Sequence, residues 1–168
     1  MRVLEEGLPG RTTSVEAPNS ADRNGLRHLP VVLETHSPLD LLIVMLGTND
    51  LKCTFNSTSI QIGDRAAALL HAAVSFQPKV GGVLLVSPPH VAETPDAELS
   101  RQFAGAVEKS SELAAHYKHA AAEHGCHFFD AASVARSDSL DGIHLDEANH
   151  KSLGLGIARE LERIFSGR

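Results

Sequence analysis

Leu39-Asp40-Leu41-Leu42-Ile43-Val44-Met45-Leu46-Gly47-Thr48-Asn49-Asp50 is the stretch on which the fold turns. An almost continuous apolar run halted by Gly47 is the pattern of a short strand covered on both faces, the usual situation in a parallel sheet. Val83-Leu84-Leu85-Val86 is a second such run, stopped by Ser87-Pro88-Pro89 because proline cannot donate to a ladder. Cys126-His127-Phe128-Phe129 is a third, ending at Asp130, and residues 1–4 read as the tail of a fourth.

Between these runs the apolar residues step by three and four, the helical period. Residues 24–36 place Leu26, Leu29, Val32 and Leu33 inward, and residues 60–76 do the same with Ala67, Leu70, Ala73 and Val74. The longest pattern, 99–124, turns Phe103, Val107, Leu113, Ala114 and Tyr117 inward, with a bend expected at Ser110-Ser111. Residues 146–165 close the chain with Leu153, Ile157, Leu161 and Ile164 facing in, and Gly154 and Gly156 permitting close approach. Alternating strands and helices predict an α/β domain, a parallel sheet between helical layers. With no repeat, low-complexity tract or linker, residues 1–168 read as one domain, long enough to bury a core without staples.

The composition narrows the function. Hydrophobic residues at 42% and charged ones at 21% fit a folded soluble chain, and a net charge of −6 with no basic stripe argues against nucleic acid and anionic membranes. Cys53 and Cys126 have no CxxC spacing, so a reducing compartment is expected. The apolar run from Leu41 to Leu46 is far short of the ~18 residues of a spanning helix, and Arg2, Glu5 and Glu6 interrupt any secretory apolar region. A cytoplasmic protein acting on small molecules is the expectation, and homo-oligomer formation stays open.

In parallel sheets, ligands bind beyond the carboxyl ends of the strands, which selects the loops at 7–13, 47–52, 87–93 and 131–144. In Asp141-Gly142-Ile143-His144 the spacing lets the carboxylate hold one ring nitrogen and leave the other as a base. A helix-entry aspartate near a surface histidine explains the same residues. Asn49 can present its amide from a strand end to a developing oxyanion, and Gly47-Thr48-Asn49-Asp50 also reads as a plain turn with Asp50 capping the next segment. The Gly10 loop leaves a backbone N–H accessible, as many loops do.

Taken together, Gly10 in its loop, Gly47-x-Asn49-Asp50 after an apolar strand, and Asp141-x-x-His144 before the last helix resemble blocks II, III and V of the SGNH (GDSL) hydrolases. Glu5-Glu6-Gly7-Leu8-Pro9-Gly10-Arg11-Thr12-Thr13 and Met45-Leu46-Gly47-Thr48-Asn49-Asp50-Leu51-Lys52 are similar to the arylesterase and acyltransferase branch. The resemblance implies a three-layer α/β/α sandwich of flavodoxin-like type and a serine esterase that hydrolyses or transfers acyl groups without a cofactor. It assigns His144 as general base, Asp141 as its orienting carboxylate, and Asn49 and Gly10 as oxyanion-hole donors. A histidine base further implies a rate that falls as the ring protonates.

One block departs from the pattern. Relatives carry the nucleophile in a Gly-Asp-Ser at the end of the first strand, and no Gly-Asp-Ser occurs in these 168 residues. Only nine residues precede Gly10, whereas a strand, crossover helix and return strand need roughly 30. The sequence therefore predicts that the first strand and helix are absent rather than mutated, through N-terminal truncation or a misassigned start. It predicts no nucleophile, unpaired strand edges with marginal stability, and no serine-esterase activity in this chain. Ser87 and Ser14 could substitute only within ~3 Å of the base. His116, His119, His124 and His127 fit a solvated helix face better than a metal site. The competing class is a non-catalytic module of the same fold that binds acyl esters or carbohydrate esters. A nucleotide fold is disfavoured, since no GxGxxG follows a strand.

Overall fold

A computed structural model describes residues 2–18, 21–76, 80–138 and 140–167. Met1, within the expected fourth strand, and Ser139, within the expected last loop, lie outside the described residues. In chain order the main elements are α1 (Gly25–His36), β1 (Leu42–Val44), α2 (Ser59–Ser75), β2 (Val83–Ser87), α3 (Ala97–Gln102), α4 (Ala106–Glu123), β3 (His127–Asp130) and α5 (Glu147–Ser166). Side-chain caps set several starts: Asn24 accepts from the Arg27 N–H at α1, Thr58 and Gln61 form a reciprocal capping box at α2, and Asp146 accepts from the Asn149 N–H at α5.

The strands form one parallel sheet in the order β1-β2-β3. Leu42 is opposite Val83 and Leu84 is opposite His127. Successive residues of β2 point to opposite faces, so Val83 and Leu85 join the core formed with α1, α2 and α4. Leu84 and Val86 join a second core with Leu153 and Ile164 of α5. The expected parallel sheet between helical layers is therefore present, and every residue of β2 is buried.

The expectation of a strand covered on both faces holds for β2 and fails for β1. Ladder pairing extends over three residues only, and Ile43 is 40% exposed, because β1 is the edge of the sheet among the described residues. Residues 2–4 form no strand, so the expected fourth strand is absent there. The expected helix over 99–124 is two helices. The chain breaks after Gln102 and restarts at Gly105, whose φ of +72° few other residues adopt, so Ser110-Ser111 marks no break. Instead the Ser110 hydroxyl donates to the Val107 carbonyl at 2.8 Å and accepts the Val91 N–H at 3.1 Å, tying α4 to the loop after β2. Val74 and Val107, both expected inward, are 40% and 36% exposed.

Glycines at helix contacts differ in consequence. A Cβ on Gly63 of α2 would lie 2.6 Å from the His116 Cβ of α4, an atom that no rotamer change can move away. A Cβ on Gly154 of α5 would meet nothing within 4 Å, so only Gly156, packed against Phe129 and Val134, marks the close approach expected of the pair. Gly63→Ala should therefore destabilise by about 1–3 kcal/mol through overpacking, despite the better helix propensity of alanine. Gly154→Ala should stabilise by up to ~1 kcal/mol. Urea denaturation of both variants checks the two signs.

Candidate active site

The turn after β1 is shaped before any chemistry is considered. Gly47 has φ +127°, and a Cβ there would collide with the hydroxyl of Tyr117, which is buried in α4 and donates to the Leu46 carbonyl at 2.8 Å. Burial pushes the Tyr117 hydroxyl well above its ordinary value, with the Asp50 charge adding to the effect, so it remains a donor. The chain then winds through a single 3-10 turn, Asn49–Leu51, which turns Asn49 and Asp50 toward the loop at 10–13.

Asn49 and that loop meet directly. The Asn49 side-chain amide donates to the Arg11 carbonyl at 3.1 Å, one residue from Gly10, whose φ is +78°. An amide carries two hydrogens, so one anchors Asn49 to the loop and the other can serve a ligand. Asp50 is fully buried beside it. One carboxylate oxygen accepts the Thr13 N–H at 2.9 Å, the other accepts the Thr13 hydroxyl, and Arg65 of α2 lies 3.8 Å away. Burial raises the Asp50 pKa from its ordinary value, and the Thr13 hydrogen bonds and Arg65 offset only part of that. The sequence reading of Asp50 as a cap missed this long-range role. The hint available was a hydroxyl-rich Thr12-Thr13 beside the Gly10 loop.

The second pair is local. One oxygen of Asp141 accepts the N–H groups of Ile143 and His144, each at 2.8 Å, and the other binds the His144 Nδ1 at 2.6 Å. Burial alone would raise Asp141, but the hydrogen bonds from His144 and Ile143 outweigh it and hold the carboxyl below its ordinary value. An ionised carboxylate only accepts, so Nδ1 donates and Nε2 of the neutral ring keeps its lone pair. The ring is 75% exposed. Gly142 makes the tight turn: its φ is +71°, its carbonyl accepts the Ala92 N–H at 2.7 Å, and a Cβ would lie 2.6 Å from the Ala92 oxygen. That contact stitches the loop to the segment following β2.

Gly10, Arg11 and Asn49 are thus brought together, as are Asp141 and His144. Both groups lie beyond the carboxyl ends of the parallel strands, although no hydrogen bond joins them among the described residues. Of the two serines weighed as substitutes, the one at a strand end, Ser87, has its hydroxyl engaged. Ser87 is fully buried and donates to Asp130 at 3.0 Å, while Ser14 lies past the Gly10 turn with its carbonyl accepting the Asn24 amide at 2.9 Å. His119 pairs with Glu123 at 3.4 Å, and the His124 Nδ1 is 2.9 Å from the Ala120 carbonyl. Among the described residues no three His, Cys, Asp or Glu side chains form a group that could hold a metal, and no helix is long and apolar enough to cross a membrane.

Known proteins share this fold. The GDSL-like lipase/acylhydrolase family pattern matches residues 1–151. A carbohydrate acetylesterase from Sinorhizobium meliloti is 40% identical with a TM-score of 0.92, over 96% of this chain and 78% of that one. The inhibitor-bound aryl esterase of M. smegmatis is 39% identical with the same score and the same coverages. A GDSL-like lipase from Bacteroides thetaiotaomicron, 20% identical over 92% of this chain and 73% of its own, shares the fold at a TM-score of 0.70. The comparison with curated proteins returned no match. Matched by the family pattern over most of its length and folded like an esterase that shares 40% of its residues, the chain belongs to the GDSL-like lipase/acylhydrolase family, the SGNH hydrolases.

Proposed function

We propose that this chain carries the base, the orienting carboxylate and the oxyanion donors of a carboxylic-ester hydrolase acting on small acyl esters. His144 is the base, Asp141 fixes its tautomer, and Asn49 with the Gly10 N–H receives the carbonyl oxygen as it becomes negative. The observation that carries the reading is the 2.6 Å bond from Asp141 to Nδ1, which leaves Nε2 of an exposed ring to accept a proton. Esterase relatives of the same fold support acyl-ester chemistry, and their carbohydrate and aryl substrates are the first classes to assay on this chain.

The 168 residues contain no Gly-Asp-Ser, and Ser87 is engaged inside the sheet. We therefore assign the serine nucleophile to no residue of this chain. Without a hydroxyl to deprotonate, a histidine base adds little, whereas oxyanion donors still stabilise attack by water. In serine hydrolases stripped of their triad, residual acceleration is about 10³–10⁴ over water. The purified chain should accelerate p-nitrophenyl acetate hydrolysis by that order at most. His144→Ala should leave the residual rate unchanged, and Asn49→Ala should bring it to background. A rate abolished by His144→Ala would show that the imidazole itself acts on the ester or on its attacking group, contrary to this expectation. Ester binding with no acceleration would identify a binding module instead.

The Asp141 geometry also makes stability depend on pH. Because folding lowers its pKa, the ionised carboxylate stabilises the folded chain fully above the unfolded aspartate value, and that contribution is lost as pH falls through the folded value. The difference in melting temperature between wild type and Asp141→Ala should be greatest at neutral pH and shrink in acid. A difference that grows in acid would contradict the direction.

A further inference from the structure

We propose that Asp50 is the positioning residue of the oxyanion cradle, its buried carboxylate locking the 10–13 loop against the turn that carries Asn49. The inference rests on the reading of Gly10 and Asn49 as oxyanion donors. A buried carboxylate is costly unless its acceptor capacity is filled, and here one residue from a distant loop fills most of it. The Thr13 N–H donates to one oxygen at 2.9 Å and the Thr13 hydroxyl to the other, across 37 positions of sequence.

Both ends of this link are fixed independently. Thr13 is fully buried, and its carbonyl accepts the Leu26 N–H at 2.9 Å in the first turn of α1. Asp50 sits in a turn whose N–H donates to the Gly47 carbonyl at 3.1 Å, and the Tyr117 hydroxyl holds the preceding Leu46 carbonyl. Arg65, held by Ser57 at 2.7 Å, faces the carboxylate from α2. Without this link, the one direct hydrogen bond left between the two segments, among the described residues, is that from the Asn49 amide to the Arg11 carbonyl. That would place alignment of the cradle on the same group that must bind the oxyanion. Asp50 separates the two tasks.

The test uses the 15N-labelled full chain and reads positions rather than turnover. In Asp50→Ala, the backbone amides of Gly10 and Arg11 and the side-chain NH2 of Asn49 should shift. Exchange of the Thr13 amide should quicken roughly ten- to a hundredfold, while the Ile143 and His144 amides remain at their wild-type positions. Asp50→Asn, which keeps the shape and one acceptor, should restore part of the pattern, and Thr13→Val, which removes only the hydroxyl, should reproduce part of the loss. Unmoved Gly10, Arg11 and Asn49 signals would overturn the proposal. So would shifts equally large at Ile143 and His144, the mark of general loosening. If Asp50→Ala does not fold, Thr13→Val is judged by the same signals. The oxyanion reading fails separately, if Asn49→Ala leaves the residual ester acceleration intact while Asp50→Ala still moves the cradle.

Discussion

Parallel pairing of β2 with both of its neighbours is the constraint from which the site follows. A parallel sheet sends every strand end in the same direction, so the turn after β1 and the loop after β2 emerge on one side. Complete burial of β2 fixes the register, because a one-residue slip would exchange the residues facing the α1-α2-α4 core with those facing α5. The 10–13 loop and the Asp141 loop are then hung on this edge by a few polar contacts. The loops hold the chemistry, while the sheet decides that they share an end.

Two aspartates illustrate how one residue type is used in opposite ways. Asp50 is withdrawn from water, and its charged form is tolerated because Thr13 and Arg65 surround it. Asp141 remains partly in solvent and gathers three donors from its own turn, which favours its ionised form. The first arrangement provides rigidity between distant segments at a cost in desolvation. The second provides a permanent acceptor for an imidazole at little cost. Their pKa values move apart for these reasons, upward for Asp50 and downward for Asp141.

Features that depend on neighbours along the chain were the ones readable in the sequence. The apolar runs of β2 and β3 and the Asp141 to His144 contact all lie within a few residues of their partners. The extent of β1 was not legible, because whether an apolar strand is covered on both faces depends on its place in the sheet. Its Ile43 is as hydrophobic as anything in β2 yet half-exposed at the edge. The break before α4 was misplaced for a related reason. Ser110-Ser111 is unfavourable in an isolated helix, but a tertiary donor at Val91 makes Ser110 useful inside one, and the left-handed Gly105 takes the turn instead. The Asp50 to Thr13 link was hidden because its partners are 37 residues apart and the shared burial that gives it strength has no periodic signature.

The same division bears on how the two halves of the site behave. The imidazole and its carboxylate are three residues apart and joined by a turn that Gly142 makes nearly inevitable, so their mutual geometry needs little from the rest of the molecule. The contact of Asn49 with Arg11, the proposed oxyanion cradle, spans 38 residues and joins two segments held by the sheet, α1 and the buried carboxylate. The Asp141 to His144 contact is thus local in sequence and the Asn49 to Arg11 contact is tertiary. On the proposed roles, the donors that meet a developing charge rest on buried contacts between distant segments, whereas the base rests on a short exposed turn.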